Sequence, residues 1–79
     1  PELGSNVRSL LFELASPLTA IYIKDAIYDL LTTQESRIRL QDVRVKEDID
    51  SNGYNVTLEY NIINRELPVV TTLFLERIR

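Results

Sequence analysis

The side chains with the clearest chemical potential are the carboxylates, because the sequence contains neither histidine nor cysteine. That composition removes imidazole acid–base chemistry, thiolate nucleophiles and the usual zinc ligands. Glycoside hydrolysis needs two carboxyl groups, one of them with a raised pKa, about 5 to 10 Å apart. Glu13 and Glu35 are candidates for such a pair, but 79 residues are too few to hold a sugar chain in a deep groove. We therefore expect no catalytic residues.

A metal site is the second use to which acidic residues could be put. Asp25 and Asp29 lie one turn apart on a helix and could contact a hard cation together. A calcium site, however, requires six or more oxygen ligands. We expect these two aspartates to form a solvated face, with no metal and no cofactor.

A basic run lies between residues 37 and 46, and it could form a phosphate-binding stripe. No aromatic residue is interleaved for base stacking, acidic residues interrupt the run, and the net charge of the chain is −3. We expect an exposed strand face paired with acids, and no nucleic-acid partner. The basic residues are Arg37, Arg39, Arg44 and Lys46.

Glu35 and Arg37 stand where helical periodicity gives way to alternation. In a local interpretation, Arg37 bonds the last free carbonyls of the helix and Glu35 orients it, which is worth about 0 to 1 kcal/mol. In a functional interpretation, the planar donor fork of Arg37 reaches carbonyls or carboxylates on another chain. The residues by themselves favour the local interpretation.

Two helices must position this junction. Helix-capping chemistry at residues 4–6 predicts a first helix over residues 6–14, with Phe12 on its flank. Ser16-Pro17 predicts the start of a second helix over residues 17–33. Ile21 and Tyr22 widen its apolar stripe, which is typical of a helix covered by more than one neighbour. The apolar face of the first helix is Val7, Leu10, Leu11 and Leu14, and that of the second is Ala20, Ile23, Ala26, Ile27, Leu30 and Leu31.

Three strands follow the helices. The alternation of apolar and polar residues shifts by one position near Gln41-Asp42. A β-bulge there would place the apolar residues on one face of a first strand, namely Ile38, Leu40, Val43 and Val45. Residues 48–53 form a turn, residues 54–62 alternate strictly, residues 64–68 form a connection, and residues 69–78 form a last strand. That strand is partly apolar on both faces, so we expect a helix to cover one face and another element or a partner to cover the other.

These elements predict one α+β domain over residues 1–79, with two N-terminal helices packed on a three-stranded antiparallel sheet. The chain opens with Pro1 rather than methionine, so we expect it to be the C-terminal part of a longer chain. No apolar run approaches the roughly 20 residues that a membrane-spanning helix needs, so we expect no membrane partner.

Four short segments, in order, resemble one family: PELG at residues 1–4, LFE at 11–13, PLT at 17–19 and ESRI at 35–38. With the alternating strands that follow, the chain resembles the baseplate wedge proteins that initiate sheath assembly in contractile phage tails. Type VI secretion baseplates and related injection machines share this family. The resemblance covers essentially the whole chain, and it implies a virion tail baseplate component that is assembled in the host cytoplasm.

In the family, a Glu-Pro-Arg motif between helix and sheet binds the helical core bundle of the wedge. Glu35 and Arg37 match its acid and base, whereas Ser36 replaces the proline. A proline would push Glu35 out of the helical region and remove an N–H group, so a serine predicts a less rigid loop. The resemblance implies that Glu35, Ser36 and Arg37 bind the wedge core-bundle proteins.

The resemblance also implies a second partner, the tail sheath protein, whose strands pair with the sheet and begin sheath polymerisation by strand exchange. On this basis we expect the last strand to contact the sheath. Its contact residues are then Val70, Thr72, Phe74 and Glu76.

Two other functions remain open at this point. Members of the family are often labelled lysozyme-like, so a peptidoglycan-degrading tail lysozyme is the alternative from another class, although the resemblance implies that this label should be distrusted. A small nucleic-acid-binding module is the third hypothesis. Clearing of cell-wall substrate or salt-dependent binding to DNA separates these two from a structural adaptor.

Overall fold

A computed structural model describes residues 5–78, and it consists of two helices followed by a three-stranded antiparallel sheet in the order β1-β2-β3. This confirms the predicted α+β architecture. The PELG segment, and with it Gly4 of the predicted capping residues 4–6, lies outside the described residues. The elements are α1 (Ser5–Leu10), α2 (Pro17–Gln34), β1 (Ile38–Asp48), β2 (Gly53–Ile62) and β3 (Val69–Glu76).

The start of α2 follows the predicted Ser-Pro signal. Ser16 is extended, with φ −162° and ψ 162°, and its hydroxyl accepts a hydrogen bond from the N–H of Thr19 at 3.1 Å. Pro17 then opens the helix, where its missing N–H costs no hydrogen bond. The helix runs to Gln34, one residue beyond the predicted end, and its predicted face turns inward, with Ile23 and Ile27 buried.

The first helix is shorter than predicted, and Leu14 is not part of its apolar face. α1 ends at Leu10, and Leu14 is exposed. The chain leaves the α-helical repeat through tight turns, in which Glu13 N–H bonds the Leu10 carbonyl at 3.1 Å. The carbonyl of Leu11 instead accepts from Ile78 N–H at 3.0 Å, so the end of the chain takes the place of a further helical turn.

The predicted β-bulge in β1 is confirmed. The pairing of β1 with β2 shifts register between Leu40 and Asp42, so Gln41 is the extra residue. Directly opposed residues of antiparallel strands share a face. The apolar residues on both sides of the bulge therefore share the core face with β2, through the pairs Ile38↔Ile62, Leu40↔Tyr60, Val43↔Leu58 and Val45↔Val56.

The core lies between the helices and one face of the sheet. Its fully buried side chains are Val7, Ile23, Tyr54 and Val56, so α1, α2 and β2 all contribute to it. α2 packs against β1, and α1 packs against α2. Within residues 5–78, no helix has the length and apolar character needed to cross a membrane.

Two sequence expectations change in the structure, and a third, cover of the second face of β3 by another element or by a partner, is narrowed within residues 5–78 to the partner. Ile21 and Tyr22 are about half exposed, so no second neighbour within residues 5–78 covers that side of α2. The strand β3 ends at Glu76 rather than at Ile78, because Ile78 N–H bonds Leu11 instead of continuing the sheet. The second face of β3 is uncovered by the described part of the chain, with Val70 60% exposed.

Candidate partner-binding surfaces

The helix-to-strand junction is formed by Glu35, Ser36 and Arg37. Glu35 caps the C-terminus of α2: its N–H bonds the Leu31 carbonyl at 3.1 Å, while its own backbone, at φ −119° and ψ 88°, has left the helical region. A proline at position 36 would favour a similarly extended Glu35. The helix therefore ends before Glu35 even though the next residue is Ser36 rather than a proline.

The backbone of this junction is tied to a neighbouring loop. The Arg37 carbonyl accepts a hydrogen bond from Ile63 N–H at 2.8 Å, one position beyond the last β1–β2 pair. The neighbouring loop is itself a tight turn, in which Arg65 N–H bonds the Ile62 carbonyl at 2.9 Å and Asn64 has a φ of 71°. Asparagine tolerates this left-handed conformation better than most residues. The main chain of the junction is thus held on two sides.

The side chains of the junction, by contrast, are exposed to water. Among residues 5–78, Glu35, Ser36 and Arg37 form no ion pair and no side-chain hydrogen bond, either with one another or with other residues. Arg37 bonds none of the helix carbonyls, so the local interpretation of this pair is not realised. The expected contact by which Glu35 would orient Arg37 is likewise not formed in the described part of the chain. The guanidinium group keeps its donors available.

One edge of the sheet is formed by β3. Its residues pair with β2 from Gly53↔Glu76 to Tyr60↔Val69, and Arg77 N–H bonds the Asn52 carbonyl at 2.9 Å beyond them. Antiparallel strands bond a neighbour at alternate positions. Arg77 bonds inward, toward β2, and so does every second residue before it along β3. The residues between them direct their N–H and C=O groups outward, away from β2. These residues are Val70, Thr72, Phe74 and Glu76.

This free edge has a defined end. The next outward position is Ile78, whose N–H is taken by the Leu11 carbonyl. Within residues 5–78 no further strand pairs with β3, so its free edge there consists of the four residues that the resemblance assigns to sheath contact. The assignment itself remains a prediction.

The opposite edge of the sheet, β1, is a poorer template for another strand. The bulge at Gln41 interrupts its register, and the Gln41 side chain bonds the Asn61 side chain at 3.0 Å. Bulges are one of the devices by which sheet edges discourage pairing. The register of β3 with β2 shows no such interruption.

The outer face of β3 carries one aromatic side chain with a structural task. The Phe74 ring lies over Gly53 on β2, so that a Cβ at Gly53 would overlap the ring and the Leu75 carbonyl oxygen. An aromatic side chain across from a strand glycine compensates for the missing side chain. Phe74 is still 43% exposed, and Val70 on the same face is more exposed. An apolar surface therefore lies directly beside the free edge.

The predicted exposed basic face is confirmed for three of its four members, but among residues 5–78 only Arg44 has the predicted acidic partner. Arg39, Arg44 and Lys46 are exposed and oppose Asn61, Thr57 and Asn55 across β2, which places them on the outer face of the sheet. Arg44 pairs with Asp42 at 3.3 Å. Such an exposed pair contributes at most about 1 kcal/mol. Arg37 precedes the strand and belongs to the junction instead.

The carboxylates offer little support for catalysis or metal binding. Glu13, Glu35, Asp25 and Asp29 are all exposed, whereas a general acid of a glycosidase needs a desolvated environment. Within residues 5–78, no group of three or more acidic side chains could hold a metal ion.

Sequence reasoning missed Arg77, which joins three distant parts of the fold. Its guanidinium donates to the Asn52 side chain at 3.2 Å and to the Glu13 carbonyl at 3.1 Å. Both partners lie far away in sequence, and one of them is a main-chain oxygen. No local pattern could have indicated this contact.

Sequence reasoning identified only part of an apolar surface on the solvent side of α2, because it assigned Ile21 and Tyr22 to a widened inward stripe and missed Leu18 and Tyr28. Leu18, Ile21, Tyr22 and Tyr28 are all about half exposed there. The signal was present in the sequence, since Ile21 and Tyr22 follow Leu18 by three and four residues and Tyr28 follows Ile21 by seven, which keeps them off the core face.

Comparison with solved structures finds a protein from Geobacter sulfurreducens that is provisionally named a tail lysozyme, with a TM-score of 0.63. The two sequences are 20% identical, and the match covers 86% of this chain and 64% of that chain. At this identity, the likeness shows a shared fold. The chain thus matches less than two thirds of the length of this structural relative. No family model matches the sequence, and no curated protein is similar to it.

Proposed function

We propose that this chain is a structural adaptor of a contractile tail baseplate. It docks on the core bundle of the wedge through Glu35, Ser36 and Arg37, and it initiates sheath polymerisation by accepting a strand at β3. The ordered sequence resemblance supports this proposal, and so does the fold that the chain shares with a protein provisionally named a tail lysozyme. The observation that carries it is the free, regular edge of β3.

The β3 edge supports strand addition on physical grounds. An added strand gains main-chain hydrogen bonds from the outward groups of the edge, and side-chain contacts with alternate residues set its register. Val70 and Phe74 supply exposed apolar surface on the outer face of that strand. An incoming strand with apolar residues at matching positions buries this surface while it completes the hydrogen bonds.

The junction supports docking for a different reason. Arg37 has no ion pair to give up within the described residues, and its main chain is fixed by the bond to Ile63. A guanidinium group binds a carboxylate or two carbonyls through parallel hydrogen bonds. Loss of one partner from a desolvated charge-assisted contact typically costs about 2 to 5 kcal/mol.

Pull-down of wedge and sheath proteins tests the two surfaces separately. Arg37→Ala should lose the wedge proteins and retain the sheath protein, whereas the matched variant Arg39→Ala, which removes an exposed arginine from the sheet face, should retain both. Thr72→Pro should lose the sheath protein and retain the wedge, because proline lacks the outward N–H. Thr72→Val keeps that donor and should bind as the wild type does.

The melting temperature of each variant is the control for folding. Arg37→Ala should melt close to the wild type, because the side chain is exposed. Wedge binding by Arg37→Ala at the wild-type level, with the fold intact, contradicts the docking role. Equal sheath binding by Thr72→Pro and Thr72→Val contradicts strand addition at β3.

A tail lysozyme is the second candidate, and the name of the structural relative favours it. It requires that purified protein clear peptidoglycan and that Glu13→Gln or Glu35→Gln abolish the clearing. Since both carboxylates are exposed, we expect no clearing. Clearing that depends on either glutamate refutes the adaptor.

A further inference from the structure

The solvent side of α2 is unusually apolar for an exposed helix. Leu18, Ile21, Tyr22 and Tyr28 are 55%, 53%, 49% and 50% exposed, while the other side of the same helix packs against β1. Single exposed apolar residues need no explanation, but a contiguous group on one element marks an interaction site. A helix that is apolar on both sides is typically covered on both sides.

The spacing of these residues follows a heptad pattern. Leu18, Ile21, Asp25, Tyr28 and Thr32 are separated by three, four, three and four residues, which are the a and d positions of a coiled-coil seam. We call these five residues the outer stripe. Its length is about 21 Å at 1.5 Å per residue. A seam of this kind fits the side of another helix.

The charge on the outer stripe decides between possible partners. Asp25 lies at the midpoint of the outer stripe, and Asp29 lies one turn further along the same side. Both are exposed. A two-fold pairing that overlaps the whole outer stripe with a second copy would bring Asp25 against its own equivalent, in parallel or antiparallel orientation. Like charges that are desolvated together disfavour such a pair.

We infer that the outer stripe of α2 binds an amphipathic helix of a different protein, one that presents a lysine or arginine opposite Asp25. Apolar residues of the partner pack between Leu18, Ile21 and Tyr28. The cation pairs with Asp25 and fixes the register, as polar residues at an a position do in coiled coils. The outer stripe ends at Thr32, three residues before Glu35, and it shares no residue with the junction or with β3, so the inference goes beyond the proposed function.

Two synthetic helical peptides of about three heptads test the inference. Both carry leucine at the a and d positions; the central a position is lysine in one peptide and glutamate in the other. Titration with wild-type protein should show saturable binding that is about tenfold tighter or more for the lysine peptide. Asp25→Lys should reverse this preference.

Matched variants locate the site. Ile21→Glu should weaken binding of the lysine peptide by about tenfold or more. Ile49→Glu makes the same change at an isoleucine that is 79% exposed in the β1–β2 turn, and it should leave binding unchanged. Arg37→Ala should also bind normally, which separates this surface from the docking junction.

Three results overturn the inference. The first is the absence of saturable binding, or equal binding of both peptides by the wild type. The second is equal weakening by Ile21→Glu and Ile49→Glu. The third is a dimer of the wild-type chain in sedimentation equilibrium that Ile21→Glu dissociates, because the outer stripe would then bind a second copy.

Discussion

At the scale of single residues, Tyr54 differs from the aliphatic residues of the core because its buried side chain carries a hydroxyl group. Its side chain is fully buried, yet its hydroxyl makes no hydrogen bond within residues 5–78. Burial raises the pKa of this phenol above its ordinary value; the Glu47 carboxylate raises the pKa further, and the Arg77 guanidinium opposes both effects. The aromatic ring contributes to the packing, and the hydroxyl contributes little.

Substitutions at Tyr54 separate the ring from the hydroxyl. Tyr54→Phe should leave the free energy of unfolding within about 1 kcal/mol of the wild type, because no hydrogen bond is lost within the described residues. Tyr54→Ala should lower it by about 3 to 5 kcal/mol, because a large cavity forms. Urea denaturation measures both values. A loss of more than about 2 kcal/mol in Tyr54→Phe would mean that the hydroxyl is bonded.

The raised pKa of Tyr54 also predicts an alkaline limit to stability. Tyrosine in the unfolded chain ionises near pH 10, whereas Tyr54 in the folded protein ionises at higher pH. Its contribution is fully present below about pH 10 and is lost as the pH rises through the folded pKa. The melting temperature should therefore fall less in Tyr54→Phe than in the wild type between about pH 9 and about pH 11. Identical falls would contradict the buried, neutral phenol.

At the scale of elements, the bulge in β1 determines which residues face the core. Without the extra residue at Gln41, one half of β1 must turn its apolar side chains to solvent, because side chains alternate along a strand. Deletion of Gln41 should lower the free energy of unfolding by roughly 2 to 4 kcal/mol, since each misplaced aliphatic side chain loses about 1.5 kcal/mol or more.

The control for the deletion is Gln41→Ala, which keeps the bulge. It removes only the exposed side-chain bonds to Asn61 and to the Arg39 carbonyl, and it should cost less than about 1 kcal/mol. Chemical denaturation of the two variants, side by side, makes the measurement. A deletion that is no more damaging than the alanine substitution would mean that the register of β1 is not set by the bulge.

The elements themselves could be predicted from local signals. Ser16-Pro17 marks the start of α2 because its chemistry is complete within four residues. The shift in the alternation of apolar and polar residues at Gln41 predicts the bulge, because this alternation is a local property of strands. The predicted ends of α1 and of β3 are wrong because the N–H of Ile78 bonds the carbonyl of Leu11 across the fold. Contacts between residues far apart in sequence leave no local pattern.

At the scale of the whole molecule, the two predicted binding regions lie on different parts of the fold. The junction occupies the turn between α2 and β1, and the free edge belongs to β3, with β2 between the two strands. Sequence reasoning identified Arg37 through its resemblance to a known motif, since its local chemistry favoured an ordinary ion pair. The structure removes that competing explanation, because Arg37 pairs with no residue between 5 and 78.

Hydrogen exchange over the whole chain, with and without the tail sheath protein, tests the central claim most directly. In the free protein, the outward amides of Val70, Thr72, Phe74 and Glu76 should exchange quickly, while the inward amides of β3 are protected. Addition of the sheath protein should protect these four amides and leave β1 unchanged. Sheath binding that protects β1 alone, or neither edge, would contradict strand addition at β3.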